Sequence, residues 1–524
     1  MSFANCGLPY YVSDEITDES ALLLQTPRSL ASSLNLDVRI LHSVTGLDPA
    51  AKTVTVSTPD GMQTMEYDTL ILSPGALPSQ APIPGLDNPR VYTLRTVDDA
   101  KALKILAGQA KTAVVLGAGF IGLEAAEALA HRGLKVTVVE FAPHVLPPLE
   151  KELAWLVAEE MRRLGMDVRE ATAATGIADG QDDSGNAQAI VSLSDGTAVG
   201  ADMVVMAVGG RPDTSVFEQA GLACERGFVV VDEHGRTNLD HVYAVGDATL
   251  STDAVTSVRR PVPLAGPANR AGRYVSDVIA TGERARPIPR PLGTAIVRVG
   301  KLTAAMTGAN RDSLNKAERT YTTIHTHPGS HAGYFPGSTQ MHLMVHIDPA
   351  TGEILGAQGV GQDGVDKRID VLATAIRAGL TAADLIDLDL CYSPPYGSAK
   401  DPVTMVGFVA DNIMTGQTRL WHPEQLDWAR SQDVCLIDVR SAQEFATGHL
   451  PEATNIPHVQ MRDRMDEVKA LVGGRPVALM CQSGVRSYIA HRIMTAAGYD
   501  SATLSGGMLT LRAWLGADAE KILV

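Results

Sequence analysis

The sequence of 524 residues has little of what marks a secreted, metal-binding or membrane protein. Its five cysteines are scattered and form no Cys-x-x-Cys pair, which argues against a disulfide framework and a structural zinc site. His327 and His331 share no cysteine or carboxylate partner at metal-ligand spacing, so we expect turn or interface histidines and no metal. No apolar run approaches the roughly 18 residues that a membrane span needs, and no signal pattern opens the chain. We therefore expect a cytoplasmic protein with no membrane partner.

A long basic stripe is also missing. Lys and Arg number 44 against 60 Asp and Glu, a formal net charge of −16, so nucleic acid is a poor candidate partner. Any anionic ligand must find its positive charge locally. Hydrophobic residues at 45% and charged residues at 20% are ordinary for a globular protein, and the length suggests three or four domains.

The pattern along the chain predicts α/β domains. Residues 34–75 alternate in the manner of strands, and from residue 112 the pattern becomes strand, glycine turn, amphipathic helix and strand. This is a βαβ unit that feeds a parallel sheet. Residues 281–293 are rich in Pro, Gly and Arg and suggest a connection between domains. Another boundary falls near 416–424, after which strand-like and helical segments predict a small α/β domain.

A dinucleotide fingerprint opens the βαβ unit. Gly117, Gly119 and Gly122 form a GxGxxG motif directly after the strand TAVVL and before the helix FIGLEAAEALA. The first glycine permits the tight turn, the second lets a pyrophosphate approach the backbone, and the third packs the helix on the strand. The helix N-terminus offers free N–H groups to the phosphates, so the motif predicts nicotinamide-nucleotide binding. The alternative is a glycine-tolerant turn with no ligand.

Glu140 predicts which nucleotide is used. It ends the next strand, where a carboxylate can accept hydrogen bonds from the adenosine ribose hydroxyls. A 2′-phosphate would meet that negative charge, and no Arg follows within FAPHVLP to receive it. We therefore expect NADH rather than NADPH as the electron donor.

Several further segments carry a resemblance that extends to about residue 415. Four of them are SFANCGLPYY at 2–11, YDTLILSPGALP at 67–78, TNLDHVYAVGDA at 237–248 and VPLAGPANRAGR at 262–273. Together with HPGSHAGYFPG and CYSPPYGSAKDP, they make the chain resemble the flavin-dependent pyridine nucleotide-disulfide oxidoreductases, and more closely their coenzyme A-disulfide reductase branch. The resemblance implies FAD and NADH as cofactors, coenzyme A as substrate or bound ligand, and a homodimer.

The resemblance also implies a fold class: α/β, with doubly wound, Rossmann-like FAD- and NAD-binding domains and an α+β dimerisation domain. We expect a discontinuous, N-terminally truncated FAD-binding domain at 1–105 and 236–293, an NAD-binding domain at 106–235 and a dimerisation domain at 294–415. The family normally begins with a strand, a GxGxxG loop and a helix for the ADP half of the flavin, whereas this sequence starts just before Cys6. We therefore hypothesise a miscalled start, with Met1 read from a GTG valine codon, or a fragment.

Cys6 is the redox thiol that the resemblance implies. Dithiol members of the superfamily carry a second cysteine five residues later, but that position is Tyr11 here, so no internal disulfide can form there. A lone thiolate can instead attack a disulfide or persulfide and leave a mixed disulfide that reduced flavin cleaves. The alternative is an inert thiol in an N-terminal loop.

Other site residues are carried over from the family by position. Tyr392 is expected near the flavin and across a dimer interface, where its phenol is a candidate proton donor. Tyr334 is a second candidate, the alternative being an aromatic residue that only packs. Gly246 and Asp247 would meet the flavin ribitol, where an acidic partner suits a polyol. Further cofactor contacts are expected at Ser73, Gly75 and Gly209, and coenzyme A contacts at Ser2, Asn5, Asn269 and Lys400.

The last hundred residues resemble a rhodanese, the sulfurtransferase fold, through CLIDVRSAQEFATGHLPEATNIP and MCQSGVRS. Cys481 follows the strand PVALM and opens a loop before a helix, so successive backbone N–H groups can point at one sulfur and stabilise a thiolate or persulfide. Arg486 adds a cation, and Asp438 and Arg440 are expected to order the fold nearby. We expect this rhodanese-like α/β domain at 424–524, the alternative being a degenerate domain without activity.

We expect an enzyme that uses NADH to reduce coenzyme A disulfide or persulfide-type thiols through Cys6, with Cys481 handling sulfane sulfur. The first alternative is an NADH oxidase or peroxidase, in which Cys6 cycles through sulfenic acid. The second is a flavin-free sulfurtransferase or sulfur carrier that uses only Cys481. Flavin absorbance separates the reductase from the carrier, and oxygen uptake compared with persulfide turnover separates it from the oxidase.

Overall fold

The computed structural model describes residues 2–79 and 81–524. These residues form two compact units. The first unit runs from the N-terminal segment to Pro147 and continues over Met161–Gly293, and the second comprises Pro148–Glu160 and Thr294–Val524. Met1, on which the hypothesis of a miscalled start depends, lies outside the described residues. In the described part of the chain, no helix is both long and apolar enough to cross a membrane.

A five-stranded parallel sheet organises the middle of the first unit. From one edge to the other, its strands are Asp167–Arg169, Lys135–Val139, Thr112–Leu116, Met203–Met206 and Val91–Tyr92. The predicted strand TAVVL is the central one and is buried from Ala113 to Leu116, as expected for a strand covered on both faces. Helices Val97–Ala107 and Phe120–His131 follow the edge and central strands, and the βαβ prediction is confirmed.

Two antiparallel sheets add to this unit. One consists of Ala174–Gln181, Ala187–Leu193 and Ala198–Ala201. Its residues Ile177 and Val191 share an apolar core with Val114 and Val139 of the parallel sheet. The other consists of Ser43–Asp48, Thr53–Thr58 and Gly61–Glu66, which confirms the prediction of strands within residues 34–75.

The rest of the first unit joins segments that are distant in the sequence. Leu70–Leu72 pairs in parallel with Val242–Ala244 and so brings the motif segments 67–78 and 237–248 together. Shorter antiparallel pairs are Ser2–Phe3 with Leu23–Gln25, Leu77–Pro78 with Gly210–Arg211, Cys224–Glu225 with Phe228–Val229, and Leu250–Thr252 with Arg259–Pro261. Further helices are Leu8–Val12, Pro27–Leu34, Ser215–Gln219 and Ala265–Thr281.

A five-stranded antiparallel sheet forms the first large element of the second unit. In spatial order its strands are Ala295–Val299, Leu302–Gly308, Ile354–Gly361, Met341–Ile347 and Thr322–Thr326. Its helices are Arg311–Lys316, Val365–Ala378 and Pro402–Met414. Leu372 and Val406 of the two long helices are fully buried in one core with Leu343 of the sheet. This is the α+β architecture that the predicted fold class contains.

The C-terminal part of the second unit is built on a parallel sheet. Its strands lie in the order Leu420–Trp421, Ser501–Leu504, Val477–Met480, Cys435–Asp438 and Thr454–Asn455. Its helices are Leu426–Ala429, Ala442–Phe445, Met465–Val472, Val485–Ala496, Gly507–Leu515 and Ala519–Ile522. Leu479 belongs to one apolar core and Met480 to another, because alternate side chains of a strand point to opposite faces. The predicted small α/β domain is confirmed.

The segment Pro148–Glu160, in which the helix Lys151–Arg163 begins, supplies a buried carboxylate to the second unit. Glu152 lies 2.7 Å from Arg311 and 3.0 Å from Nε2 of His325. Burial alone would raise the pKa of Glu152, but the hydrogen bond to His325 and the charge of Arg311 hold it well below its usual value. Nδ1 of His325 lies 2.8 Å from Oγ of Ser505, so the network reaches the C-terminal parallel sheet.

Candidate active sites

The glycine loop after the central strand of the first unit has the shape that a pyrophosphate requires. Gly117 has a φ of +96°, and a Cβ there would lie 2.5 Å from the carbonyl oxygen of Ala207. A Cβ at Gly122 would overlap the carbonyl of Gly117, so both positions need glycine. A Cβ at Gly119 would meet nothing within 4 Å. The loop is therefore open where phosphates would approach the N-terminus of the helix Phe120–His131, and these residues fit a dinucleotide.

Glu140 is buried at the end of the neighbouring strand and holds the glycine loop in place. Its two carboxylate oxygens accept hydrogen bonds from the backbone N–H groups of Ala118, at 2.5 Å, and Ala142, at 2.7 Å. Each oxygen keeps a lone pair for a ribose hydroxyl, so the predicted nucleotide contact is compatible with this geometry. The link to the glycine loop was missed by sequence reasoning because it belongs to no motif. Gly209, another predicted cofactor contact, is exposed and has a φ of +92°.

The predicted flavin contacts lie at the ends of the parallel strands Leu70–Leu72 and Val242–Ala244. Gly246 has a φ of +80°, and a Cβ there would lie 3.9 Å from Oγ of Ser73. Asp247 is half-buried in the same short turn, and among the described residues its carboxylate has no hydrogen-bonding partner. A half-buried carboxylate that lacks a donor suits a polyhydroxylated ligand, so these residues fit a flavin ribitol.

Cys6 lies in the short 3-10 turn Asn5–Gly7 and is exposed. The helix that follows is anchored by Leu8, which is 1% exposed. Tyr11 occupies the position of the second cysteine of dithiol relatives; it is buried, and Nζ of Lys104 lies 3.9 Å from the centre of its ring. All five cysteines carry free thiols.

Arg95 lies beside two predicted site residues although it belongs to no motif. When the Asn5 amide is oriented to satisfy both groups, it donates to the Arg95 carbonyl at 3.1 Å and accepts from the Arg95 guanidinium at 2.5 Å. Nη2 of Arg95 also lies 3.5 Å from the Cβ position of Gly75. A cation therefore lies next to the residue that precedes Cys6. No sequence signal pointed to it, because Arg95 and Asn5 are far apart in the chain.

The remaining predicted coenzyme A contacts are all exposed. Ser2 lies on the first strand, Asn269 on the helix Ala265–Thr281, and Lys400 in the loop before the helix Pro402–Met414. Over the residues that the structure describes, Lys400 forms no ion pair, so its charge is available to an anion.

The second unit brings together the two tyrosines that the sequence marked as candidate proton donors. Oη of Tyr334 lies 3.2 Å from Oη of Tyr392. The two residues are 76% and 51% exposed, which is unusual for aromatic side chains whose only role is packing. The hydrogen bond to Tyr392 raises the pKa of Tyr334. An exposed pair of hydrogen-bonded phenols can deliver a proton to a substrate thiolate.

Cys481 is 1% exposed, and hydrogen-bonding groups surround its sulfur. Sγ accepts from the backbone N–H of Gly484 at 3.2 Å and lies 3.4 Å from Oγ of Ser487. Gly484 has a φ of +99° and immediately precedes the helix Val485–Ala496, so the positive end of the helix dipole also faces this loop. Ser487 is held by Oγ1 of Thr503, 2.5 Å away. This arrangement can stabilise a thiolate or a persulfide.

Arg486, the predicted cation of this loop, is paired with Glu444. Its Nη1 and Nη2 donate to the two carboxylate oxygens at 2.7 and 2.6 Å. The hydrogen bonds from Arg486 lower the pKa of Glu444 to about 2, so the carboxylate is ionised at neutral pH. Sequence reasoning missed Glu444 because nothing in its local pattern points to Arg486. Asp438 and Arg440 form a second, buried ion pair at 2.7 Å and so order the adjacent loop.

Each of the two histidines that raised the question of a metal contacts the protein through one ring nitrogen, and the buried Nδ1 of His327 has no hydrogen-bond partner among the described residues. Nε2 of His327 lies 2.8 Å from Oγ1 of Thr510, and Nδ1 of His331 lies 3.2 Å from the carbonyl oxygen of Ala332. Across residues 2–79 and 81–524, no three His, Cys, Asp or Glu side chains are grouped as metal ligands.

These features define a class of protein. A dinucleotide loop on a parallel sheet, a second strand pair that ends in an unpartnered carboxylate, and an exposed N-terminal thiol belong to a two-cofactor flavoprotein oxidoreductase. Residues 1–272 match the pyridine nucleotide-disulphide oxidoreductase family, residues 294–402 match the dimerisation domain of that family, and residues 421–513 match the rhodanese-like domain. The chain belongs to the pyridine nucleotide-disulphide oxidoreductases. It is an FAD-dependent enzyme of this family with a C-terminal rhodanese-like domain.

Three relatives are similar over most of the chain. Coenzyme A disulfide reductase of Staphylococcus haemolyticus is 33% identical over 418 residues, which cover 79% of this chain and 92% of that protein. The crystal structure of reduced Bacillus anthracis CoADR-RHD is 38% identical with a TM-score of 0.94, covering 100% of this chain and 92% of that one. The NAD-dependent persulfide reductase from A. fulgidus is 33% identical with a TM-score of 0.87, covering 97% and 93%. The predicted family and fold class are confirmed.

Proposed function

We propose that this chain uses NADH to reduce coenzyme A disulfide or persulfide-type thiol substrates, with Cys6 as its single redox cysteine. The observation that carries the proposal is the exposed, free thiol of Cys6 with a buried tyrosine, Tyr11, in the position of a second redox cysteine. A site with one thiol cannot store two electrons as an internal disulfide, so its oxidised form must involve the substrate or an oxygen atom. The relatives named as coenzyme A disulfide reductase and persulfide reductase support the substrate.

In the proposed reaction, the Cys6 thiolate attacks one sulfur of coenzyme A disulfide. A new S–S bond joins Cys6 to coenzyme A, the S–S bond of the substrate breaks, and one coenzyme A leaves as its thiolate. With an alkyl persulfide, attack on the inner sulfur forms the same kind of mixed disulfide and releases HS⁻. Two electrons from NADH then cleave the mixed disulfide to the Cys6 thiolate and a second thiol. FAD, when bound, supplies the route for that electron pair.

The cofactor contacts that we propose lie in the first unit. Gly117, Gly119, Gly122, Glu140 and Gly209 would bind NADH, and the negative charge of Glu140 would disfavour the 2′-phosphate of NADPH. Ser73, Gly75, Gly246 and Asp247 would contact FAD, with the unpartnered Asp247 carboxylate accepting from ribitol hydroxyls.

Coenzyme A would contact Ser2, Asn5, Asn269 and Lys400. Its phosphates suit the exposed Lys400, and Arg95 would hold the Asn5 side chain in position. We propose a homodimer in which the Tyr334–Tyr392 pair of one protomer serves Cys6 of the other. The match to a dimerisation domain and the exposure of both tyrosines support this arrangement.

The rhodanese-like domain would handle sulfane sulfur. Cys481 would accept one sulfur atom from a donor and hold it as a persulfide, stabilised by the N–H of Gly484. Attack of a small thiol on the outer sulfur would break the S–S bond to Cys481, restore the Cys481 thiolate and form an alkyl persulfide. The Cys6 site would reduce that persulfide as described above, with release of HS⁻. This division of labour goes with the proposed domain order: FAD-binding at 1–105 and 236–293, NAD-binding at 106–235, dimerisation at 294–415 and rhodanese-like at 424–524.

The test is NADH oxidation by the purified full chain in anaerobic buffer, with coenzyme A disulfide, glutathione persulfide or no acceptor, together with the absorbance spectrum of the protein. We expect a flavin spectrum and rapid turnover with at least one of the two thiol substrates. A parallel assay in air-saturated buffer measures oxygen uptake, and an uptake rate that exceeds the anaerobic thiol-substrate turnover would contradict the proposal and favour an NADH oxidase or peroxidase. A colourless protein that still transfers sulfur through Cys481 would favour the sulfur carrier.

A further inference from the structure

The pairing of Arg486 with Glu444 changes what the Cys481 loop offers to a sulfur donor. Both terminal nitrogens of the guanidinium donate to the Glu444 carboxylate, at 2.7 and 2.6 Å. Glu444 is fixed in its turn by Ser441, whose Oγ and backbone N–H donate to Oε2 at 2.8 and 3.1 Å. The carboxylate is therefore held in place, and Arg486 and Glu444 together form a neutral ion pair at the Cys481 loop.

Two other arginines near this loop are bonded elsewhere. Arg512, on the helix Gly507–Leu515, donates to the carbonyl oxygens of Thr447 and Gly448 at 3.2 and 3.5 Å. Arg440 is held by Asp438 in a buried ion pair at 2.7 Å. Cys481 is followed by Gln482 and Ser483, which carry no charge. Within residues 481–487, Arg486 is therefore the one cation, and Glu444 is its partner. A sulfur anion on Cys481 is stabilised by the backbone N–H of Gly484 instead.

Sulfur donors differ in the charge that they bring to such a site. Thiosulfate is a dianion: transfer forms an S–S bond to Cys481, breaks the S–S bond of the donor and releases sulfite, with the total charge unchanged. An alkyl persulfide brings at most one negative charge at its sulfur end, and after the same transfer it leaves as a thiol or thiolate. The side chains of Arg486 and Glu444 are 28% and 36% exposed, so water screens their charges in part, but the dianion is still the donor that gains more from a free cation.

We propose that Glu444 is a specificity-determining residue of the Cys481 site, which excludes dianionic oxyanion donors such as thiosulfate and leaves alkyl persulfides as the donor class. The inference rests on the proposed sulfur-transfer function. Glu444 neutralises Arg486 and so removes the cation that a dianion needs, while the N–H of Gly484 still holds the transferred sulfur. Cys481 would then draw on the same class of molecule that Cys6 reduces.

Glu444→Gln in the full-length protein tests this inference. Glutamine keeps the size of the side chain and can still cap the helix Ala442–Phe445 with Ser441, but it carries no charge. The measurement is the rate constant for persulfidation of the Cys481 peptide, followed by mass spectrometry, with thiosulfate or glutathione persulfide as donor. We expect the thiosulfate rate constant to rise about tenfold and the persulfide rate constant to change less than about threefold.

Two further variants keep the test sharp. Glu467→Gln removes the carboxylate of another bidentate pair in the same domain, with Arg464 at 2.6 and 2.7 Å, and should change neither rate constant. Arg486→Gln alone leaves the Glu444 carboxylate without its cation, so the thiosulfate rate constant should fall about tenfold. Combined with Glu444→Gln, it leaves no charge at either position, as in the neutral pair, and the rate constant should return to within about threefold of that of the unaltered protein.

Each outcome decides a different claim. An unchanged thiosulfate rate constant in Glu444→Gln, with persulfide transfer intact, would overturn the role of Glu444 alone. An unchanged thiosulfate rate constant in Arg486→Gln would overturn it too, since the charge of this pair would then not control the reaction with the dianion, and this variant decides the question if Glu444→Gln does not fold. If neither donor persulfidates Cys481 in the unaltered protein, the proposed sulfur-transfer function fails, and the inference fails with it.

Discussion

Cys6 and Cys481 carry the same thiol in opposite settings. Cys6 is exposed on a short turn of the first unit, whereas Cys481 is 1% exposed and accepts a hydrogen bond from its own loop in the second. An exposed thiol can react with a substrate as large as a coenzyme, and stabilisation of its thiolate depends on groups that the substrate and cofactor supply. An enclosed thiol admits little more than the terminal sulfur of a donor, and its stabilising N–H group is built in.

The charged residues around the two sites differ in the same way. Asp247, in the predicted flavin site, has no hydrogen-bonding partner within the described residues, whereas Glu444 beside the Cys481 loop accepts from both Arg486 and Ser441. A carboxylate without a hydrogen-bond partner can accept hydrogen bonds from a ligand. A carboxylate whose oxygens already accept from protein groups, as in Glu444, instead neutralises the cation beside it. The first unit therefore has an acceptor that is open to a ligand, whereas the hydrogen bonds of the Cys481 loop in the second unit are already formed within the protein.

Replacing each thiol by serine gives the largest expected effects and tests directly whether Cys6 and Cys481 have separate roles. Cys6→Ser should lower NADH-dependent reduction of coenzyme A disulfide on the order of a thousandfold, because a serine hydroxyl cannot form the mixed disulfide. Cys481→Ser should leave that reaction intact and abolish sulfur transfer. Anaerobic NADH oxidation with each variant and each substrate type provides the measurement.

The control for both variants is reduction of bound flavin by NADH, which does not use a thiol and should survive in each. Undiminished thiol-substrate turnover in Cys6→Ser would contradict the central role of that residue. Equal loss with every substrate in Cys481→Ser would show that the loop has only a structural role.

Gly484→Ala should show how far the enclosed site depends on its backbone. Alanine at a φ of +99° costs about 1–3 kcal/mol and would move the N–H away from the sulfur, so we expect sulfur transfer to fall about tenfold or more. Gly473→Ala is the matched control, because Gly473 ends the helix Met465–Val472 at a φ of +54° with open space around it. A similar loss of transfer in both variants would contradict a specific role for Gly484.

As the pH falls, the second unit should lose stability at a higher pH than the first unit. Burial lowers the pKa of His342 to about 4 and that of His422 to about 3, against an ordinary value near 6.5. The unfolded chain therefore binds protons that the folded unit does not, so the stability present above pH 6.5 is lost as the pH falls. Between pH 6.5 and 5 the loss is about 2 kcal/mol for each histidine.

Fluorescence measures this loss selectively, because all four tryptophans lie in the second unit. Denaturant unfolding followed by tryptophan emission at pH 7 and pH 5 should show the drop, and His342→Leu should reduce it. Hydrogen exchange in peptides from 112–140 of the first unit should change less. An equal loss of stability in both units between pH 7 and pH 5 would contradict the prediction that the second unit is the more acid-sensitive.

The smallest expected effect concerns the nucleotide. Glu140→Gln removes the charge but keeps an acceptor for the loop, so the preference for NADH over NADPH in kcat/KM should narrow about tenfold. Asp202→Asn is the matched control: its carboxylate also accepts two backbone N–H groups, from Lys111 and Thr112, but it lies at the other end of the central strand. NADPH used as well as NADH by the unaltered protein would contradict the assignment of Glu140.

The elements that sequence reasoning predicted are those whose signal is local. An apolar strand, a glycine triplet and a helix occur in one stretch from Thr112 to His131, and the Cys481 loop lies between a strand and a helix in the same way. Periodicity and glycine placement are enough to predict such units.

The missed contacts all join residues that no local pattern links. Arg95 reaches Asn5 from another element, and Glu444 reaches Arg486 across the rhodanese-like fold. Such pairs depend on how elements pack, which single-sequence periodicity does not encode. The same limit applies to Pro148–Glu160, because no local pattern indicates that this segment belongs to the second unit.

The segment Pro148–Glu160 also limits where the chain can be divided into fragments that fold on their own. Glu152 comes from Pro148–Glu160, yet it satisfies Arg311 and His325 in the second unit. A fragment beginning at Thr294 would inherit a buried guanidinium and a buried imidazole without their carboxylate, which is a costly state. A recombination point at Gly293 would therefore separate groups that depend on each other. The second unit, which contains the antiparallel sheet and the rhodanese-like domain, can therefore be transferred to another protein only together with the thirteen residues Pro148–Glu160.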